Sequence, residues 1–328
     1  MDSMIALFPG QGAQHVGMGK SLYENFSTAK EAFEEASDAI HQDLKKLCFE
    51  GPESNLTLTE NTQPALVTTE IAAFRCAQKE FGFKPKIVAG HSLGEYAALV
   101  AATAWDLSTA VKFVKKRGQA MQKAVPAGKG KMAALLNIDE DSVIALCKEA
   151  TSIAHQANPT SDFPILVEPA NFNAPGQIVI AGESSAVDSA LKLISDGKFK
   201  AKAIPLAVSA PFHCKLMKPA RDEMETLFKN ETQKGLKMGD LICPYIPNRT
   251  ARLTSEKNLI LELLIEQIDH AVLWRQSIEL LLSQNETSAI EFGPGKVLAG
   301  LCKRIAKNKN LDFEVKSIGD IESLKTLS

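Results

Sequence analysis

No stretch of this 328-residue chain is apolar for long enough to cross a bilayer. The longest, Tyr96 to Trp105, is ten residues, against the roughly 20 that a spanning helix needs, so no membrane-embedded segment is expected. An excess of one charge is also missing. Lys and Arg total 37 against 39 Asp and Glu, a net charge of -2, which gives no global positive field to grip a phosphate backbone; nucleic acid is not an expected partner. The six cysteines (Cys48, Cys76, Cys147, Cys214, Cys243, Cys302) include no C-x-x-C pair, and there is no H-E-x-x-H. Neither a zinc site nor a disulfide framework is indicated, and reduced, mostly buried thiols are the expectation. The opening segment Met1 to Gly10 lacks a basic region followed by a long apolar run, so a secretory signal is not expected and a cytoplasmic location is. Internal repeats and low-complexity tracts are absent too, which removes solenoids and disordered tails.

What is present is globular material: 45% hydrophobic and 23% charged residues, enough to bury a sizeable core in about two domains. Met4 to Phe8 reads as a buried strand closed by Pro9-Gly10, and Lys86 to Gly90 as another. Helical patterns cover Ser21 to about Cys48, Pro64 to Phe81, Leu93 to Ala104 and Leu107 to Val125. Alternating strands and helices argue for α/β with a largely parallel sheet. The middle changes rhythm: strand Lys131 to Ile138, helix Asp139 to Ala150, strands Ile165 to Phe172 and Gln177 to Ala181, helix Ser184 to Ser195, strand Ala201 to Val208. That β-α-β-β-α-β order is ferredoxin-like. Late strands are expected at about Ile242 to Ile246 and Ala289 to Phe292. The predicted class is therefore α/β: a large α/β-hydrolase-like domain over 1–128 and 207–328 with a mostly parallel sheet, carrying an inserted ferredoxin-like domain over 129–206.

Gly90-His91-Ser92-Leu93-Gly94 matches G-x-S-x-G and lies between a predicted strand and a predicted helix, the context that a nucleophile elbow requires. Ser92 would stand at a helix N-terminus, where the free backbone N–H of Leu93 can meet an oxyanion; the plainer reading is that Ser92 caps the helix. A serine nucleophile needs a base, and six histidines compete: His15, His41, His91, His155, His213 and His270. His91 should point away from Ser92 at a tight turn, and His41 and His155 lie in polar surroundings. His213 follows a predicted strand, where α/β folds hold functional groups. Position alone does not choose among the six.

Ala110, Val114, Arg117 and Met121 share one helix face, while Lys115 and Lys116 turn toward solvent. A guanidinium on an apolar stripe needs an anion, because burying it unpaired costs several kcal/mol. That anion is either an internal carboxylate or a carboxylate of the substrate held bidentately. The loop Phe8-Pro9-Gly10-Gln11-Gly12 can present a backbone N–H. It fails G-x-G-x-x-G at His15, and Gly19-Lys20-Ser21 fails the P-loop pattern at Gln14, so nucleotide readings lose support. Lysines gather at Lys198, Lys200 and Lys202, at Lys215 and Lys218, and around Lys303, Arg304, Lys307 and Lys309. Such groups are commonly a solvated face, or a dock for an acidic protein.

Seven ordered motifs coincide: Phe8 to Gly12, Gln63-Pro64-Ala65, Gly90 to Gly94, Arg117, Asn171 to Gln177, Val208 to His213, and Phe292-Gly293-Pro294-Gly295-Lys296. Across essentially its whole length the sequence resembles the malonyl-CoA:acyl carrier protein transacylases of fatty-acid synthesis. The resemblance implies that Ser92 takes the malonyl group from malonyl-CoA as an ester and yields it to the phosphopantetheine thiol of holo acyl carrier protein, in ping-pong order. It implies His213 as general base and acid, the N–H groups of Gln11 and Leu93 as the oxyanion hole, and Arg117 as the partner of the malonyl carboxylate. The Gln267 carbonyl would orient His213. Phe212 and Leu93 fit a malonyl-selective pattern, and Met121 would line the acyl site. No cofactor is implied: coenzyme A thioesters and acyl carrier protein are substrates, and a monomer is expected. Two departures stand out, Ala271 where the family commonly has proline and a Thr151 to Pro164 loop longer than usual. The alternatives are a polyketide acyltransferase, a serine hydrolase of acyl thioesters and an inactive carrier-binding module.

Overall fold

A computed structural model describes residues 4–208 and 210–328; Met1, Asp2, Ser3 and Ser209, the last within the Val208 to His213 motif, lie outside the described residues. Among the described residues nine strands run in chain order: β1 (Met4–Phe8), β2 (Pro85–Gly90), β3 (Gly130–Leu136), β4 (Val167–Ala174), β5 (Gln177–Glu183), β6 (Lys202–Pro205), β7 (Tyr245–Ile246), β8 (Ser288–Phe292) and β9 (Glu314–Ile318). They form two sheets. The first has the order β7-β2-β1-β8-β9 with every pairing parallel, and the second the order β4-β5-β3-β6 with every pairing antiparallel. The predicted α/β class, with a mostly parallel sheet and a ferredoxin-like second sheet, is what the chain adopts.

Why β1 reads as an unbroken apolar run is visible in its two faces. Ile5 and Leu7 pack with Trp274, Ile278, Leu281 and Ile305 on one side; Ala6 and Phe8 pack with Leu66, Phe74 and Phe292 on the other. Alternate side chains of a strand point oppositely, so a parallel sheet covered on both faces needs apolar residues at every position. Phe292 sits at the centre of an aromatic cluster, 6.0 Å from Phe8, 5.4 Å from Phe74 and 5.2 Å from Phe83 between ring centroids. A third core lies between the antiparallel sheet and its two helices, Glu140–Ala157 and Ser184–Ser195, through Leu135, Ile180, Leu146 and Val187.

Several boundaries move. The expected helix from Ser21 to Cys48 is three helices, Lys20–Asn25, Ser27–Ile40 and Leu44–Glu50, broken where Phe26 is extended and His41 is left-handed. Residues 151–157, expected in a long loop, continue the helix Glu140–Ala157, because Cys147, Ala150 and Ala154 keep burying one face. The strand expected over Ala201 to Val208 stops at Pro205, and that over Ile242 to Ile246 is only Tyr245–Ile246 after Pro244; proline has no N–H for the ladder. Strand β9 was not expected. Lys115 is not solvent-facing: its Nζ lies 3.0 Å from both Gln42 Oε1, in the turn after Ile40, and Asn61 Oδ1, on the helix Thr59–Phe81, partners that spacing along one helix cannot reveal. All six cysteines are free and buried. No described helix is long and apolar enough to cross a membrane. Phe292→Ala, which opens the aromatic cluster, should cost about 3–5 kcal/mol in urea denaturation with an unchanged slope; a loss below about 1 kcal/mol would show that the cluster does not hold the helices onto this face of the sheet.

Candidate active site

The carboxyl ends of β1 and β2 converge on Ser92. Gly90 and Gly94 are required there by space: a Cβ on Gly90 would stand 1.9 Å from Gly94 O, and one on Gly94 would stand 2.2 Å from Phe8 O. Between them Ser92 is left-handed, φ 53°, a strained conformation for a residue with a side chain. Asn248, in the loop after β7, holds the bend: its Oδ1 accepts from Ser92 N–H at 2.6 Å and its Nδ2 donates to Gly90 O at 2.6 Å. Leu93 lies next, at the N-terminal end of the helix Gly94–Ala101, among the N–H groups that a helix leaves without an internal partner.

Ser92 Oγ lies 2.7 Å from His213 Nε2, and His213 Nδ1 lies 2.8 Å from the backbone oxygen of Gln267. The carbonyl can only accept, so Nδ1 carries the hydrogen and Nε2 is free to take the serine proton. This Gln267 contact stands with Ala at 271. His213, itself left-handed at φ 60°, is 4% exposed. Burial first, then the field of Arg117, pushes its pKa down to about 3, which keeps the imidazole neutral. The other five histidines make no contact with Ser92 Oγ: His91 also lines the cavity but points to Asn173 Oδ1 at 2.9 Å and packs against Trp274, His270 meets Asp269 Oδ1 at 2.8 Å, and His15, His41 and His155 are exposed.

Arg117, on the helix Leu107–Lys123, is 1% exposed. Among the described residues no carboxylate lies within ion-pair distance of it. Its Nη1 donates to Gln63 Oε1 at 2.8 Å, and its Nη2 donates to Gln267 Oε1 at 2.7 Å and to Ser92 Oγ at 3.1 Å. Of the two readings open to the sequence, the direct internal carboxylate pair is therefore not the one built. Tyr96 lies under the guanidinium, 5.7 Å from ring centroid to Cζ.

These groups line a cavity of about 220 Å³, with Gln11 and Leu93 beside Ser92 and with Met121, Met132 and Phe212 among its apolar walls. Gln11, Leu93, Phe212 and Met121 thus all line the cavity. Strands β4 and β5 of the second sheet add Asn171, Asn173, Gln177 and Val179. Three residues had no assigned role in the sequence reading. Gln63 was visible only as part of a motif. Asn248 gave no local signal. Glu95 did: it is the one charged residue in the otherwise uncharged helix Gly94–Ala101. The site contains no described cluster of three His, Cys, Asp or Glu placed to hold a metal ion.

The acyl transferase domain family matches residues 6–318. The malonyl CoA-acyl carrier protein transacylase of Bacillus subtilis is 43% identical over 325 residues, covering 99% of this chain and 96% of its own. An acyl carrier protein S-malonyltransferase of Vibrio cholerae superposes with a TM-score of 0.88 at 39% identity, covering 99% of each chain. The same score, at 38% identity and 99% coverage of each chain, is found for a malonyl-transacylase in complex with its type II PKS acyl-carrier protein.

A neutral His213 in the empty site has a kinetic signature. The rate at which an uncharged serine-reactive fluorophosphonate labels Ser92 should be flat from about pH 8 to about pH 5, because the base loses its proton-accepting form only below its depressed pKa. A fall centred near the ordinary histidine value of about 6.5 would show that Arg117 and burial do not control the base.

Proposed function

The chain belongs to the acyl transferase domain family, and from that premise we propose that it transfers the malonyl group of malonyl-CoA to the phosphopantetheine thiol of holo acyl carrier protein, supplying fatty-acid synthesis. The observation that carries this reading is a buried guanidinium 3.1 Å from the nucleophilic oxygen, aimed where the far carboxylate of a short diacid would lie.

In the first half-reaction Ser92 Oγ attacks the thioester carbonyl while His213 Nε2 takes its proton. The oxyanion is met by the N–H groups of Gln11 and Leu93, each such donor typically being worth about 10²–10³ in rate. Collapse breaks the C–S bond, and His213 returns the proton to the departing coenzyme A thiolate, leaving a malonyl-Ser92 ester. The carrier's thiol then gives its proton to His213 and attacks the ester; Ser92 leaves and recovers the proton. Throughout, the Gln267 carbonyl stabilises the imidazolium that forms and holds the ring in the right tautomer. The malonyl carboxylate would replace Ser92 Oγ as the partner of Arg117 Nη2, freeing the serine from a competing hydrogen bond. All groups come from one chain, which fits a monomer, and six free thiols fit a reducing, cytoplasmic setting. The complex of a relative with a type II PKS acyl-carrier protein favours one second reading, service to a polyketide carrier.

Brief exposure to malonyl-CoA should add the mass of one malonyl group to the protein and none to Ser92→Ala; an unmodified wild-type protein would remove the covalent step. Arg117→Ala should lose malonyl transfer by about 10²-fold or more, the range seen when one partner of a buried charge pair is truncated, with acetyl transfer spared or improved. Equal losses for both acyl groups would mean that Arg117 does not read the carboxylate.

A further inference from the structure

Glu95 is 1% exposed, and a buried carboxylate needs compensation. Its Oε2 accepts from Gln267 Nε2 at 2.8 Å and from the backbone N–H of Asn248 at 3.0 Å, while Oε1 has no hydrogen-bond partner. The cation in its field is Arg117, which it does not touch. Between them lies the Gln267 carboxamide, giving Nε2 to Glu95 and to Ser92 O at 2.9 Å and accepting Arg117 Nη2 on Oε1 at 2.7 Å. The direction of this relay is fixed, because an ionised carboxylate only accepts and a guanidinium only donates.

We propose that Glu95 is a positioning residue for anion recognition: through the Gln267 carboxamide its carboxylate balances Arg117 and sets how tightly the guanidinium holds the free carboxylate of the substrate. This inference rests on the malonyl-transfer reading above. A carboxylate in direct contact would occupy the edge of Arg117 that faces Ser92. With no counter-charge at all, the malonyl group would become the sole anion of a buried cation and would leave slowly. One amide of separation gives partial compensation and leaves the edge open.

Burial raises the Glu95 carboxyl to about 7, against the hydrogen bonds from Asn248 and Gln267 and the field of Arg117, so its charge changes near neutrality. The charged and titratable groups around it are Arg117 from the helix Leu107–Lys123, Tyr245 from β7, Tyr96 on its own helix and, beyond Gln267, His213. Burial raises both phenols well above their ordinary value and lowers His213 to about 3, so none of these titrates in the same range. The sign follows. Protonated Glu95, at low pH, leaves Arg117 uncompensated and anion binding strong; ionised Glu95, at high pH, weakens it. By linkage the bound malonyl group raises the Glu95 pKa further.

The test is the KM of malonyl-pantetheine, which lacks the coenzyme A phosphates, from about pH 6 to about pH 8.5 in wild type and Glu95→Gln. The glutamine keeps both hydrogen bonds of Oε2 through its own carbonyl oxygen and removes only the charge. In wild type KM should climb roughly 5-fold or more with pH, the lower end of typical site-to-site couplings. In Glu95→Gln it should stay flat at the low-pH value, and the inhibition constant of acetyl-pantetheine should be flat in both proteins. A wild-type KM independent of pH, or an identical rise for acetyl-pantetheine, overturns the inference, and these wild-type profiles decide it even if the variant does not fold. Absence of any malonyl-Ser92 adduct by mass in the same sample would instead overturn the malonyl-transfer reading.

Discussion

A positive charge kept out of water with no anion touching it is the constraint around which the site is arranged. Desolvating Arg117 costs several kcal/mol unless its donors are met, and the protein meets those of the two terminal nitrogens with neutral dipoles, the carboxamide oxygens of Gln63 and Gln267. Both terminal nitrogens are paired while Nε–H has no partner, and the charge is only partly balanced, with Glu95 at one remove. That residual field has two effects at once. It suits the cavity to a carboxylate, and it helps keep His213 without a proton, so the residue proposed to read the acyl group also acts on the proposed base.

Such a field is useful only if the reacting atoms do not move. Ser92 and His213 both occupy left-handed backbone conformations, each costing about 1–3 kcal/mol in isolation, and each is held by contacts distant in sequence. Asn248 clamps the Ser92 turn from both sides, and Gln267 reaches Ser92 by its side chain and His213 by its backbone. One glutamine therefore ties nucleophile, base and arginine together. Its backbone role was implied by family resemblance alone; its side-chain role was not foreseen.

What could be read in advance was what short-range chemistry dictates. The glycines around Ser92 announce a bend because no Cβ fits, and helical spacing places Arg117 inward beside Met121. The choice among six histidines could not be made from position, because the contact of His213 with Ser92 spans 121 residues. Asn248 is 156 residues from the amide that it caps and sits in a loop with no periodicity to interpret. Lys115 failed for the opposite reason: its own helix predicts a solvent-facing side chain, and only neighbouring segments, a turn and another helix, supply Gln42 and Asn61. Two strands came out shorter than expected at prolines, Pro205 and Pro244, since a missing N–H ends pairing sooner than apolar pattern suggests.

The second sheet reaches the chemistry without taking part in it. Asn173 of β4 holds His91, Asn171 of the same strand bridges to Val272, and Val179 of β5 faces the cavity. Nucleophile, base and arginine all come from outside that sheet. The walls that β4 and β5 lend to the cavity can therefore be exchanged without replacing either partner of the Ser92–His213 contact, which separates the shape of the chamber from its proton path.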